Sequence, residues 1–214
     1  NTFGYADRQL KRHMNMKKTI GIIGGMGPLA TADLFRKIVT MTDAKCDQEH
    51  PRVLIDSNTN IPDRTAAILT GGENPLPQLA TSARTLERAG ADVLMMPCNT
   101  AHYFYDGVCA ATKLPVLHML RLTAEEIDRR KIKTVGLLAT DGTIQTGIYE
   151  RLFGEHGVAV VKPDAAGQKR VMALIYDGVK AGNAAFDTTP VRVVLDAMLA
   201  LGVEAFVLGC TELP

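Results

Sequence analysis

Residues 89–101 read Ala-Gly-Ala-Asp-Val-Leu-Met-Met-Pro-Cys-Asn-Thr-Ala, and residues 201–213 repeat the plan as Leu-Gly-Val-Glu-Ala-Phe-Val-Leu-Gly-Cys-Thr-Glu-Leu. Each stretch opens on a helix-ending glycine (Gly90, Gly202) and carries an acid two positions on (Asp92, Glu204). Each then runs through a short apolar strand to a thiol, Cys98 or Cys210, and the thiols stand 112 positions apart. A chain that builds one cysteine-tipped strand twice brings two thiols to opposite sides of one cleft. Two facing acid/base groups are what racemisation without a cofactor requires.

The similarity continues toward the N-terminus. Ile20-Gly21-Ile22-Ile23 matches Val135-Gly136-Leu137-Leu138 at an offset of 115, and Gly27 falls opposite Gly142. Any strand of a βαβ unit resembles another, but agreement at both ends of the unit, thiol included, favours an internal duplication. Strands alternate with helical periods, which implies parallel βαβ units with right-handed crossovers. The expected fold is α/β: two pseudo-symmetric lobes, each a parallel sheet flanked by helices, with the site in the cleft between them. The lobes are expected at 16–117 and 118–214, each a plausible domain size. Single helices are expected over 101–111, from the end of the segment 139–143 to about 153, and over 171–180.

Bulk properties exclude several classes. The chain has 214 residues, 46% hydrophobic and 22% charged, and a formal net charge of +1, which gives no electrostatic footprint for nucleic acid. No apolar run approaches a membrane span. The polar, basic stretch 1–15 has no secretory core and is expected to be an expression leader outside the fold, with a natural start at Met16. A strand that ends at the second thiol normally feeds a further helix, so a segment beyond Pro214 is expected. The four cysteines, at 46, 98, 109 and 210, show neither zinc-ligand spacing nor a disulfide framework. Reduced thiols in a cytoplasmic protein are expected.

Ligands of open α/β sheets bind at the carboxyl ends of the strands, where both thiols fall. Asn99 and Thr100 follow Cys98, and Thr211 follows Cys210. These side chains and the first N–H groups of the next helix suit a substrate carboxylate, and a helix start also lowers a thiol pKa. Cys46 and Cys109 lack such a setting and read as structural. His102, four residues past Cys98, has two readings: proton exchange with the site, or a helix cap or core contact. Arg52 is either a solvated edge charge or a fork for a carboxylate.

Gly25-Met26-Gly27-Pro28-Leu29-Ala30 formally fits a dinucleotide fingerprint, with Asp56 as the ribose acid. However, Asp56 lies 31 residues past Gly25, where about 20 is usual. A glycine turn approaching a small carboxylate explains the motif equally well.

Three segments together resemble the aspartate/glutamate racemase family. They are Ile20-Gly21-Ile22-Ile23-Gly24-Gly25-Met26-Gly27-Pro28, Pro97-Cys98-Asn99-Thr100-Ala101-His102 and Gly209-Cys210-Thr211-Glu212-Leu213. The resemblance runs from about Lys17 to Pro214. It implies a pyridoxal-independent amino-acid racemase, a homodimer, with Cys98 and Cys210 as the two acid/base residues. It further implies that Asn99, Thr100 and Thr211 hold the α-carboxylate and that Met26 and Gly27 line the cleft. Arg52 and Lys169 would be the basic residues near the substrate, with Arg170 a one-residue alternative to Lys169.

The resulting expectation is racemisation of an acidic amino acid, aspartate ahead of glutamate, with no metal or other cofactor. Alternatives are a related cysteine enzyme of the same scaffold (maleate isomerase, hydantoin racemase or arylmalonate decarboxylase), a non-catalytic carboxylate-binding protein, or a nicotinamide oxidoreductase.

Overall fold

A computed structural model describes residues 18–211 and 213. The leader expected at 1–15 and the continuation expected beyond Pro214 lie outside the described residues. The first sheet holds β1 (Ile20–Gly24), β2 (Val53–Ser57) and β3 (Val93–Met95) in the order β2-β1-β3, all parallel. The second holds β4 (Thr134–Leu138), β5 (Ala159–Val161) and β6 (Ala205–Leu208) in the order β5-β4-β6, also parallel. The two topologies are the same, and the central strands β1 and β4 share one burial pattern, open only at the first residue. A parallel strand covered on both faces reads as a continuous apolar run, which is how both strands were recognisable.

The paired glycine and acid have a structural purpose. Gly90 and Gly202 end their helices at φ +91° and +84°, a left-handed conformation open to glycine at no steric cost. The acid two residues on then reaches the start of the central strand. Asp92 Oδ2 accepts from Thr19 N at 2.7 Å, and Glu204 Oε1 accepts from Thr134 N at 2.9 Å. Backbone bonds from Asp92 N to the Thr19 carbonyl and from Glu204 N to the Thr134 carbonyl complete each clamp. The register of each thiol-bearing strand against its central neighbour is thus held at its entry.

Helices cover the sheets. In the first lobe these are α1 (Pro28–Met41), α2 (Arg64–Leu69), α3 (Leu76–Arg88) and α4 (Tyr105–Ala110). The core there joins Ile23, Leu79, Leu94 and Met96. In the second lobe, α5 (Met119–Arg129), α6 (Asp141–Thr146) and α7 (Ile148–Gly154) pack with Leu137 and Phe153 on one side of the sheet. On the other side, α8 (Ala165–Ala173) and α9 (Thr189–Ala200) bury Val171, Ile175 and Met198. No helix among the described residues is long and apolar enough to cross a membrane.

Three expected helices differ in detail. The one expected after 139–143 begins earlier, at Asp141, and is split into α6 and α7 by Gly147, left-handed at φ 61°. The one expected over 101–111 opens as a 3-10 turn, Thr100–Phe104. There the Cys98 carbonyl, which an α-helix would offer to the backbone of His102, is taken by the His102 ring at 2.8 Å. The His102 N–H turns to Asn99 O instead. The helix expected at 171–180 begins earlier, capped by Asp164 on Gly167 N at 2.6 Å. It ends in a π-helical segment, Leu174–Lys180.

Candidate active site

Both thiols line one narrow cleft between the lobes, together with Met26, Asn99, Thr100 and Thr211. Cys98 follows β3 and Cys210 follows β6, each at the carboxyl end of its strand, and each is 6% exposed. Duplication of one strand plan therefore yields two sulfurs in a shared pocket. Cys46 is exposed and Cys109 half-buried, and neither lines the cleft.

Hydrogen bonds cross between the lobes beside the thiols. Thr100, Thr140 and Thr143 close a buried triangle of hydroxyls, with separations of 3.0, 2.9 and 3.2 Å. Tyr149 donates to Asn99 Oδ1 at 2.5 Å. Thr211 donates its hydroxyl proton to the Pro97 carbonyl at 3.0 Å.

The basic residues in the cleft are Arg64 and Lys180, not the expected Arg52 and Lys169. Arg52 is exposed and precedes β2, where its carbonyl accepts from Ile20 N. It therefore lies at the amino end of the sheet, opposite the thiols. Lys169 and its one-residue alternative Arg170 are exposed on α8. Their neighbour Gln168 is the residue that turns inward, donating to Ala139 O and Asp141 Oδ1 at 2.9 and 2.8 Å.

Arg64 is 9% exposed. The Asp63 side chain caps α2 through Ala66 N at 2.7 Å, which sets Arg64 as the first helical residue. One guanidinium nitrogen donates to the carbonyls of Ile61 and Pro62, at 3.2 and 2.9 Å. The Arg64 Nε–H is buried without a protein partner. A buried guanidinium donor without a partner is costly, and a carboxylate in the cleft would satisfy it in the fork geometry that arginine favours.

Lys180 and Tyr176 reach the cleft from the π-helical segment, a distortion often found at functional sites. The Lys180 ammonium lies 5.2 Å from the centre of the Tyr176 ring. Burial, with the negative charge of Asp63 adding, holds the Tyr176 hydroxyl above its ordinary pKa. With Asp63 the only carboxylate among the lining residues, the cleft carries two cations against one anion.

His102 serves the structural reading. Its Nδ1 lies 2.8 Å from the Cys98 carbonyl and its Nε2 accepts from Met119 N at 3.2 Å. These bonds define a neutral ring with the proton on Nδ1. Burial lowers its pKa to about 4. His102 thus ties the backbone of the first thiol to the helix that opens the second lobe, and it does not line the cleft.

The glycine turn is packed on protein. A Cβ on Gly25 would meet the Asn58 backbone at 2.4 Å, and one on Gly24 would meet Thr31 at 2.4 Å. The Gly25 N–H donates to Thr31 Oγ1 at 2.9 Å. The first glycine of the fingerprint thus packs against the chain's own backbone, and its N–H is engaged by Thr31. Met26 lines the cleft and Gly27 is not among its lining residues; the Gly27 carbonyl accepts from Thr31 Oγ1 at 2.9 Å.

A wider groove of about 650 Å³, mostly aliphatic, runs between α1, α5 and β6. Asn99, Tyr149 and Thr211 border it, whereas neither thiol, nor Arg64, nor Lys180 does. Among the described residues no group of three or more His, Cys, Asp or Glu side chains could hold a metal ion.

A doubled parallel α/β fold with one thiol from each half in a shared cleft defines a class of cysteine-bearing two-lobed proteins. Residues 23–214 match the model of the Asp/Glu/hydantoin racemase family, and the chain belongs to that family. It is similar to the aspartate racemase of Picrophilus torridus, at 36% identity and a TM-score of 0.79 over 92% of this chain and 82% of that one. An aspartate racemase homologue from Pyrococcus horikoshii gives 31% identity and a TM-score of 0.73, over 93% of this chain and 87% of that one. The broad specificity amino-acid racemase RacX of Bacillus subtilis is 28% identical over 91% of this chain and 85% of its own length.

Proposed function

We propose that the protein interconverts the enantiomers of an acidic amino acid, aspartate foremost, by a two-base mechanism carried by Cys98 and Cys210 without a cofactor. The observation that carries this reading is the convergence of both thiols on one cleft that also holds Arg64 and Lys180. One cysteine, as thiolate, removes the Cα proton, and the opposite thiol delivers a proton to the other face. The first cysteine leaves the cycle protonated and the second deprotonated, and exchange with solvent resets them.

The carbanionic transition state needs donors aimed where charge grows on the α-carboxylate. The Asn99 amide and the backbone N–H of Thr100 are assigned that task on the first lobe, with the turn at Thr211 opposite. Two cations against one carboxylate suit a substrate with two carboxylates, so Arg64 and Lys180 replace Arg52 and Lys169 as its recognition groups. A cytoplasmic homodimer completes the reading.

The test is Cys98→Ala and Cys210→Ala, followed by optical rotation and by deuterium incorporation at Cα. Each variant is expected to lose racemisation by about 10²- to 10⁴-fold, the usual weight of a positioned acid or base. Unchanged racemisation in either rules out the two-thiol mechanism. Aspartate binding without exchange in the wild type identifies a carboxylate-binding protein. Turnover of maleate, a hydantoin or an arylmalonate in place of amino acids identifies a related cysteine enzyme.

A further inference from the structure

We infer that Tyr149 is a positioning residue: its hydroxyl donates to Asn99 Oδ1 and so fixes the flip of that amide, aiming the Nδ2 hydrogens into the cleft. The inference rests on the reading that the cleft holds a substrate carboxylate.

Tyr149 belongs to α7 of the second lobe and Asn99 to the turn after Cys98 in the first, and they are 2% and 6% exposed. The Tyr149 ring is held edge-on against Phe153, with centroids 5.2 Å apart. The hydroxyl therefore reaches Asn99 from a fixed platform.

An asparagine at the start of a helical turn ordinarily spends its side-chain oxygen on a backbone N–H of that turn. Asn99 stands at that position and makes no such cap. Its oxygen goes to Tyr149 at 2.5 Å instead. The two ends of an amide diverge, so an oxygen engaged on one side presents the N–H groups on the other. The opposite flip would let the amide donate to the phenol and leave the phenolic proton without an acceptor in the core, which is costly. Burial, with the Cys210 charge adding, raises the Tyr149 pKa, so the group stays protonated and needs its acceptor throughout the neutral range. A tyrosine on one lobe thereby sets a donor beside the thiol of the other.

Tyr149→Phe keeps the ring and its packing and removes only the hydroxyl. It is expected to lower kcat for aspartate by about 10- to 100-fold with little change in KM, because a misdirected donor is missed most when charge develops. In an Asn99→Ala background the same change is expected to have little further effect, since its target is gone. Equal losses in both backgrounds, or wild-type turnover in Tyr149→Phe, overturn the inference. A purely structural tyrosine would lower the thermal midpoint and leave kcat per folded molecule unchanged, which also overturns it. A wild-type protein that racemises no acidic amino acid defeats the racemase reading separately. The hydroxyl proton then decides the pairing by NMR. A slowly exchanging Tyr149 resonance that vanishes in Asn99→Ala supports it, and one that persists overturns it.

Discussion

Thr211, which follows one thiol, donates its hydroxyl proton to the carbonyl of Pro97, which precedes the other, at 3.0 Å. The two turns that carry the sulfurs are therefore bonded to each other across the lobes. A slip of either thiol strand would break this contact, so the clamps at the far ends of those strands bear on the site.

Arg64 should govern affinity for dicarboxylates. Arg64→Leu is expected to raise KM for aspartate roughly 100-fold, since losing one side of a buried charged pair is expensive. Arg64→Lys is expected to recover only part of the loss, because a lysine cannot offer a fork. Steady-state kinetics with aspartate check both, and an unchanged KM in Arg64→Leu removes Arg64 from substrate recognition.

His102 should make the fold acid-sensitive. Its folded pKa of about 4 lies below the ordinary imidazole value of 6.5, so the unfolded chain binds the extra proton more readily. The stability this provides is present above about pH 6.5 and is lost as pH falls toward 4. The span amounts to about 3 kcal/mol. Urea titrations between pH 7 and pH 4 should show the decline, and His102→Gln should flatten it. A wild-type curve with no slope in that window contradicts the neutral buried ring.

The two entry clamps should act alike and independently. Asp92→Ala removes a hydrogen bond worth about 1 kcal/mol. Glu204→Ala should lose less, because its carboxylate bonds are exposed. The sites lie in different lobes, so the double variant should equal the sum. Chemical denaturation measures all three, and strong non-additivity would show that the two clamps are not separate structures.

The repeated glycine, acid, apolar run and thiol were legible because each is a local requirement: a left-handed turn, a strand clamp, a buried strand, a strand end. The basic residues were not legible by position, because the resemblance points to Arg52 and Lys169, whereas Arg52 precedes β2 and Lys169 is exposed on α8. Strand polarity alone separates Arg52, before β2, from Arg64, in the segment after it. Lys180 is harder to foresee. It reaches the cleft through a π-helical segment, and nothing in the apolar period of 171–180 signals the change of pitch. Tyr149 reads in sequence as one more aromatic of a helix face, and only the fold brings its hydroxyl to Asn99.

The hydroxyl triangle of Thr100, Thr140 and Thr143 has a kinetic corollary. With the bonds from Tyr149 and Thr211 it fastens the two halves within a residue or two of each sulfur. The spacing of the two proton carriers is accordingly preset by the chain itself. The entropy of assembling two reacting groups around one carbon is then spent once, at folding, instead of at every catalytic cycle.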